Sequence, residues 1–569
     1  MARDAATERN TATPAPVRLE VWPKAWPLVV FLGFALLALA IYRGALAGPF
    51  ISDDLGYIVT HPYTEELSAE NLRAIFDPFG PAKLYAANYA PIHLLLTALE
   101  REIFANASFG YHLVNVLVHA LNATLLVALL LASGLPRGAA LLGGVFFAVH
   151  PANVEAVAWA SQLKTNAALT FSLGALLALR RHPVWATGLF ALGLLTKASA
   201  AFALPTAAAF VWAWGVWEPE RSGRRWAWIA GWALLFGLYA IPQFASFAHL
   251  GAVEVEAFSD PWVQLRTIAS VGARYLAMAL TSYGVSAFQE PEPVRSWLEP
   301  WWLLALPAGV LLAWRLGLTL RRRSLEAAWW VAAAASFAPV SQLFPFLNPV
   351  ADRYLYFILP GLIGGVLCAG LALRGRLPAG AWWVAAAAAG ALSVFFAVQS
   401  AARAELWKSE LRLLLDAAEH YPEGGTASFL RARSAAQQGD VETAVAELRW
   451  ASERGIDRFL VLESDPGLAP IRSEPAFREL LRELAGSWIE IAQRRGVRTQ
   501  AELRMLAFAH LQRDELDQAL AAFERALEAG GPLEPVVRAE LEALRAQQVR
   551  QGAAAPGRGK GGGHRAQAP

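Results

Sequence analysis

The segment GPFISDDLGYIV, residues 48–59, sets two carboxylates side by side, Asp53 and Asp54, directly after a long apolar run. Adjacent carboxylates repel, so one of them tends to hold its proton more tightly unless a cation lies nearby. A carboxylate at a water–membrane boundary is suited to take a proton from a hydroxyl. The bland alternative is a capping or solvated loop pair. Other side chains with chemical potential recur at the ends of apolar runs. Arg353 follows Asp352 at the start of one run, and Lys197 stands between two others. Either cation suits an anionic group, and either equally suits interfacial snorkelling and topology anchoring. His150 and Glu155 flank a turn in HPANVE; an acid near a helix start has a favourable dipole interaction in its own right. Gln162 is seven residues beyond Glu155, on the same helical face, and Lys164 is on roughly the opposite face. Tyr85, Asn88, Tyr89 and His93 follow the acidic loop. His112, Asn115 and His119 form a stripe that reads as interhelical hydrogen bonding rather than a metal site.

These residues need a frame, and the frame is a membrane bundle. The chain has 569 residues, 56% hydrophobic and only 17% charged, against about a quarter charged in soluble domains. Eleven apolar runs read as spans: 26–47, 110–132, 136–151, 153–179, 183–197, 199–217, 226–247, 300–318, 325–343, 353–373 and 378–399, the third and fifth short enough to need a thin or packed place. Basic residues in short loops mark the cytoplasmic side. Arg3, Arg9, Arg18 and Lys24, Arg137, the RRH at 180–182, ERSGRR at 220–225, RRR at 321–323 and RGR at 374–376 all fall on one side if the count is eleven. The N-terminus is then cytoplasmic, while Asp53, Asp54 and everything after residue 400 lie outside. Residues 91–106 and 264–284 are also apolar. Counting either one alone would break the charge parity, and Arg266 and Arg274 are costly at a bilayer centre, so both read as interfacial or re-entrant helices. The ALA at 45–47 resembles a cleavage site, but the preceding run is too long for a signal core, so an uncleaved first span is expected. The single cysteine, Cys368, excludes an intrachain disulfide. The clustered basic residues do not suggest nucleic acid.

The predicted fold is all-α: a polytopic bundle of about eleven spans, then a soluble helical solenoid. The expected organisation is a disordered cytoplasmic tail at 1–21, a transmembrane domain at 22–400 with outer loops 48–109 and 248–299, a repeat domain at 401–550, and a disordered tail at 551–569. Within the repeat domain, DVETAVAELRWA (440–451) matches ELDQALAAFERA (515–526), aligning Ala444, Leu448 and Ala451 with Ala519, Phe523 and Ala526. The stretches TASFLRARSAAQQG and AELRMLAFAHLQRD supply paired first helices, and the DP and EP steps in LESDPGLAPIRSEPAFRELLREL suit helix starts. This pattern resembles tetratricopeptide repeats.

Three further stretches carry a resemblance: NYAPIHLLLTALEREIFANASFGYHLVNVLVHALNATLL (88–126); FFAVHPANVEAVAWASQLKTNAA (146–168) with LLTKASAAFALP (194–205); and ADRYLYFILPGL (351–362) with LWKSELRLLLDAAEHYP (406–422). In this order, after an outer DD and before the repeats, they resemble the transmembrane and tetratricopeptide-repeat O-mannosyltransferases and their bacterial relatives, within the GT-C class of membrane glycosyltransferases.

The resemblance implies an integral protein of a bacterial inner membrane. It would transfer a sugar, mannose by analogy, from a polyprenyl-phosphate carrier to an acceptor, a protein hydroxyl above all, on the extracytoplasmic face. Asp53 or Asp54 would serve as base, with the other orienting the acceptor or a metal. Arg353, Lys197, Lys164, His150, Glu155, Tyr89 and His93 would surround the donor phosphate and sugar. No cofactor is assigned beyond the lipid-linked donor substrate, and no metal ligands are assigned, although a divalent metal stays open. The repeats would hold a protein acceptor or partner. The chain departs from the family in having Ala90 where an Arg is common and Leu163-Lys164-Thr165 where Arg-Lys-Asp is common. Those departures lend some weight to a second reading, an inactive membrane-anchored scaffold. A transporter is a weaker third, since no inverted repeat is visible.

Overall fold

The computed structural model describes residues 25–554 apart from 87, 251–254, 346–347, 375 and 377. The basic N-terminal residues and both expected tails fall outside these limits, except for residues 551–554. Among the described residues the regular elements are helices, apart from one isolated antiparallel bridge between Gln289 and Val350. They form two compact units, one running to Glu423 and one beginning at Gly424.

The first unit holds sixteen main helices. In chain order they are α1 (Trp26–Tyr42), α2 (Ala69–Phe76), α3 (Pro91–Phe104), α4 (Ser108–Ala132), α5 (Arg137–Ala148), α6 (Val154–Ala158), α7 (Leu163–Ala178) and α8 (Pro183–Thr196). They continue with α9 (Ala203–Trp214), α10 (Pro219–Leu250), α11 (Pro261–Thr281), α12 (Pro300–Arg321), α13 (Leu325–Phe337), α14 (Asp352–Leu373), α15 (Ala379–Ala404) and α16 (Glu410–His420). Proline opens α3, α8, α11 and α12, where its missing N–H costs nothing. Asp260 and Glu299 cap α11 and α12 by accepting from the N–H groups of Trp262 (2.9 Å) and Trp302 (2.8 Å).

Each of the eleven apolar runs contains a helix. Five are long and apolar enough to cross a membrane: α4, α10, α12, α14 and α15. A sixth crossing is formed if α5 and the helical stretch Pro151–Ala158, bent by 53°, count as one. Four shorter apolar helices accompany them. Helix α11, 21 residues long, is not among the membrane-length apolar helices. Large apolar side chains face outward on these helices, among them Leu36 at 70% exposure, Val310 at 71% and Val384 at 70%. Outward apolar faces on this scale belong in lipid, so the chain is an integral membrane protein.

The run 153–179 is not one continuous helix, as the sequence reading had it. It breaks at Trp159–Gln162, between α6 and α7. The argument that placed Gln162 and Glu155 on one face therefore fails, because the helical phase is reset at the break. The exposed carbonyls of the break are satisfied from outside: Asn115 donates to the Trp159 (2.9 Å) and Ala160 (3.1 Å) oxygens, and Asn166 donates to Ala156 O (2.6 Å). Irregular backbone at membrane depth is tolerated only with such partners. The predicted polar stripe is occupied in the same way. His112 Nε2 lies 3.2 Å from Gly48 O, and His119 reaches both the Tyr356 hydroxyl (2.9 Å) and Ala148 O (3.1 Å).

Close helix approach also matters at α13 and α14. A Cβ at Gly364 would fall 2.0 Å from the Trp329 ring, so only glycine lets these helices meet there.

The second unit, taken by itself, is a succession of antiparallel helix pairs. Helices α17 (Gly425–Gln437) and α18 (Val441–Ser452) form one pair, and α20 (Gln500–Gln512) and α21 (Leu516–Glu528) another. Between them α19 (Pro475–Arg495) starts at the predicted EP step, while the DP step at Asp465–Pro466 opens a 3-10 turn rather than an α-helix. A final helix, α22, spans Glu534–Ala554. Ala444, Leu448, Ala451, Ala519, Phe523 and Ala526 are all buried to within 1%. Small residues alternating with large ones on one face allow the paired helices to approach.

Candidate functional site

The two aspartates have different fates. Asp53 is exposed, whereas Asp54 is 1% exposed. One oxygen of Asp54 accepts from Ile51 N–H (3.0 Å) and the other from Ser161 N–H (2.7 Å). The Trp159 indole N–H in turn donates to Ile51 O (3.2 Å). The acidic loop is thus stitched to the break between α6 and α7. Burial pushes the Asp54 carboxyl up to about 6, partly countered by those two backbone donors and reinforced by the charge of Asp53. Ser52, just before the pair, has φ of 54°, a left-handed conformation that costs a non-glycine residue energy. A π-helical turn, Leu55–Val59, follows at once.

Behind the loop stands an ion pair. The Arg353 guanidinium bonds to Glu155, and the Arg353 backbone N–H donates to the other Glu155 oxygen (2.7 Å). Glu155 is 2% exposed in its side chain and Arg353 14%. Asp53 lies close enough for its charge to act on Arg353. The α14 N-terminus carrying Arg353 is anchored by Asp352, which accepts from Ser286 N–H (3.3 Å) and from Gln289. Ser286 also donates to Asp416 (3.0 Å), which is paired with Arg403 (3.2 Å).

Lys197 and Lys164 complete the group. The Lys197 ammonium donates to Thr165 Oγ1 (2.7 Å) and feels the charges of Lys164, Arg353 and Glu155. The Lys164 ammonium rests 3.9 Å from the centre of the Tyr57 ring, a cation–π contact. Neither lysine forms an ion pair among the described residues. His93 sits beside them, 1% exposed, with its ring 5.5 Å from that of Tyr57. Burial, and then the charges of Lys164, His61 and Lys197, hold its imidazole well below the usual range.

Two of the expected residues lie apart. His150 is occupied on both ring nitrogens, accepting from Ala152 N–H (3.2 Å) and facing Ala279 O (3.2 Å), with its ring 4.9 Å from Phe396. It pins α5 to α11 and α15 and does not reach the acidic pair. Tyr89 donates through its hydroxyl to Phe76 O (3.1 Å) and through its N–H to Gln243 (3.0 Å). It lines an apolar groove of about 360 Å³ with Phe79, Leu194, Leu195, Tyr239 and Pro242.

Sequence reasoning missed Tyr57, His61, Glu100 and Ser161. Tyr57 lies in the quoted acidic stretch itself, three residues past Asp54, and could have been found. Glu100 is buried, its carboxyl is pushed well above the usual range by burial and by Asp54, and one of its oxygens has no partner. Only the tertiary arrangement shows that it faces the pair. Among the described residues no cluster of three or more metal-ligating side chains occurs.

No protein-family model matches the chain. Over 156 residues it is 33% identical to the Protein O-mannosyl-transferase Tmtc1 of Drosophila melanogaster, covering 26% of this chain and 18% of the relative. The chain therefore spans under a fifth of the length of that relative. The resemblance read from motif order and this match point to the same family. Among solved structures, an apo oligosaccharyltransferase from Archaeoglobus fulgidus aligns with 75% of this chain and 60% of its own, at 14% identity and a TM-score of 0.35. ArnT from Cupriavidus metallidurans, bound to undecaprenyl phosphate, aligns with 83% of this chain and 80% of its own, at 15% identity and a TM-score of 0.33. Superpositions this loose do not establish a shared fold.

Proposed function

We propose that the chain is a GT-C-type glycosyltransferase of the bacterial inner membrane. It moves a sugar, mannose by the name of its matched relative, from a polyprenyl-phosphate carrier to an acceptor hydroxyl on the outer face. Asp53 takes the acceptor proton as the acceptor oxygen bonds to C1 and the C1–O bond to phosphate breaks; the carrier leaves as polyprenyl phosphate. Asp54 is a positioning residue: a carboxylate with both oxygens engaged by backbone N–H groups holds the loop that presents Asp53. Lys197 and Lys164, free of acidic partners, would meet the charge that develops on the phosphate. Arg353, already balanced by Glu155, sets the field around Asp53. The apolar groove beside Tyr89 and Leu194, the latter three residues before Lys197, suits a prenyl chain. The second unit reads as a tetratricopeptide-type solenoid that binds an extended protein acceptor or partner outside the cytoplasm.

The observation that carries this reading is the contrast within DD, one acid exposed with its charge acting on Arg353, the other buried and held by the Ile51 and Ser161 N–H groups. Transfer of radiolabelled mannose from undecaprenyl-phosphate mannose, measured in proteoliposomes, tests it. Asp53→Asn is expected to lower turnover by at least about a hundredfold, the usual weight of a general base, with the protein still monodisperse. Wild-type turnover in that variant would overturn the assignment. The scaffold reading draws on Ala90, Leu163 and the already neutralised Arg353; it predicts no donor binding at all.

A further inference from the structure

We propose that His61 and His93 form the subsite that reads the hydroxyl groups of the transferred sugar; this rests on the transferase reading above. Both histidines are 1% exposed, and none of their four ring nitrogens has a partner in the protein. Buried polar groups are nearly always paired, so four orphaned nitrogens in one neighbourhood call for a ligand. The contrast with His119 and His150 is direct, since those buried rings engage both of their nitrogens.

The chemistry of the two rings is specific. Burial holds both imidazoles neutral, His61 at about 4. A neutral imidazole offers one donor and one acceptor, so the pair presents two of each. Sugar hydroxyls donate and accept at once and match such a set. Aromatic rings frame the site: Tyr85 and Tyr63 stand 5.9 Å and 6.2 Å from His61, and Tyr57 stands 5.5 Å from His93. The Tyr57 hydroxyl donates to Ala86 O (3.0 Å), next in sequence to Tyr85, which ties the two halves of the frame together. The Lys164 ammonium rests over the Tyr57 ring, and both Lys164 and Lys197 act on His93. A neutral polyol beside two cations is the charge pattern of a glycosyl phosphate. The same cations disfavour a metal ion on the histidines, and two imidazoles without a third ligand are a poor metal site.

Binding of undecaprenyl phosphate and of undecaprenyl-phosphate mannose to the full-length protein in nanodiscs, followed by native mass spectrometry, separates the outcomes. Wild type is expected to bind the mannosylated carrier more tightly. His61→Phe and His93→Phe are each expected to cut that preference about tenfold, the weight of one or two hydrogen bonds, leaving affinity for the bare carrier unchanged. His61→Asn and His93→Asn, which keep a donor and an acceptor, are expected to retain part of the preference and serve if the phenylalanine variants misfold. On the wild-type protein, a carrier bearing a deoxy sugar is expected to bind about tenfold more weakly. An unchanged preference in all histidine variants, or one zinc ion per chain lost with them, would overturn the subsite while leaving the transferase reading in place. Wild type that binds neither carrier would overturn both.

Discussion

Protonation of Asp54 is expected to strengthen the outer loop, so the wild-type loop opens more readily at neutral than at acid pH, and Asp54→Asn is expected to remove that dependence. Burial raises this carboxyl from its ordinary 3.8 to about 6. The folded loop then holds the proton more tightly than the opened loop does. The associated stability is full below 3.8 and is lost as pH rises through about 6. A shift of about 2 pH units at 1.36 kcal/mol per unit is about 3 kcal/mol. The side chain is almost wholly buried, so solvent screening takes little from this figure. Asparagine stays neutral throughout, but it offers one acceptor oxygen where the carboxyl offers two, so one of the Ile51 and Ser161 N–H groups loses its partner at every pH. The wild-type loop is therefore expected to open about fiftyfold more often at pH 7 than at pH 4. In Asp54→Asn the ratio between the two pH values should be close to one. Amide exchange by mass spectrometry over peptides containing Ile51 and Ser161, whose N–H groups bond to Asp54, reads this directly once corrected for intrinsic rates. Wild-type opening that is no more frequent at pH 7 than at pH 4 would refute the reasoning. It would mean that the two charge-assisted backbone bonds outweigh the cost of burying the charge. Turnover in Asp54→Asn is expected to fall less than in Asp53→Asn, since it perturbs placement and not the base itself.

Two further tests address the scaffold. Glu155→Gln leaves the Arg353 guanidinium buried without a counter-charge and is expected to cost about 3–5 kcal/mol, seen as a lowered Tm, with most of the loss recovered in Glu155→Gln/Arg353→Met. In the second unit, Phe523→Ala empties a site 1% exposed, where its ring meets that of Phe508 at 5.6 Å. It is expected to cost about 3–5 kcal/mol and to speed amide exchange across Gln500–Glu528.

Much of the architecture was legible because apolar runs and helical periods are local properties. Each of the eleven runs contains a helix, and the positions aligned between the two repeat-like stretches became buried core. Helix length was less legible. Run 153–179 looked unbroken because it is apolar over most of its length, and nothing local marks a break whose carbonyls are satisfied by Asn115 from another helix and by Asn166 from the next turns. The DP step likewise opened a 3-10 turn rather than an α-helix.

The site divides along the same line. The type and order of the residues determined that an acidic pair, several cations and a histidine follow one another at the ends of apolar runs. That is enough to suggest proton transfer beside an anion. Only the tertiary structure decided which acid is buried, that Arg353 is balanced by Glu155, that His150 is a brace, and that His61, Tyr57 and Glu100 belong to the site. Burial and partner choice depend on contacts between residues far apart in the chain, such as Asp54 with Ser161 and Glu155 with Arg353. The chemical character of a carboxylate or an imidazole follows from those contacts, which no local pattern encodes.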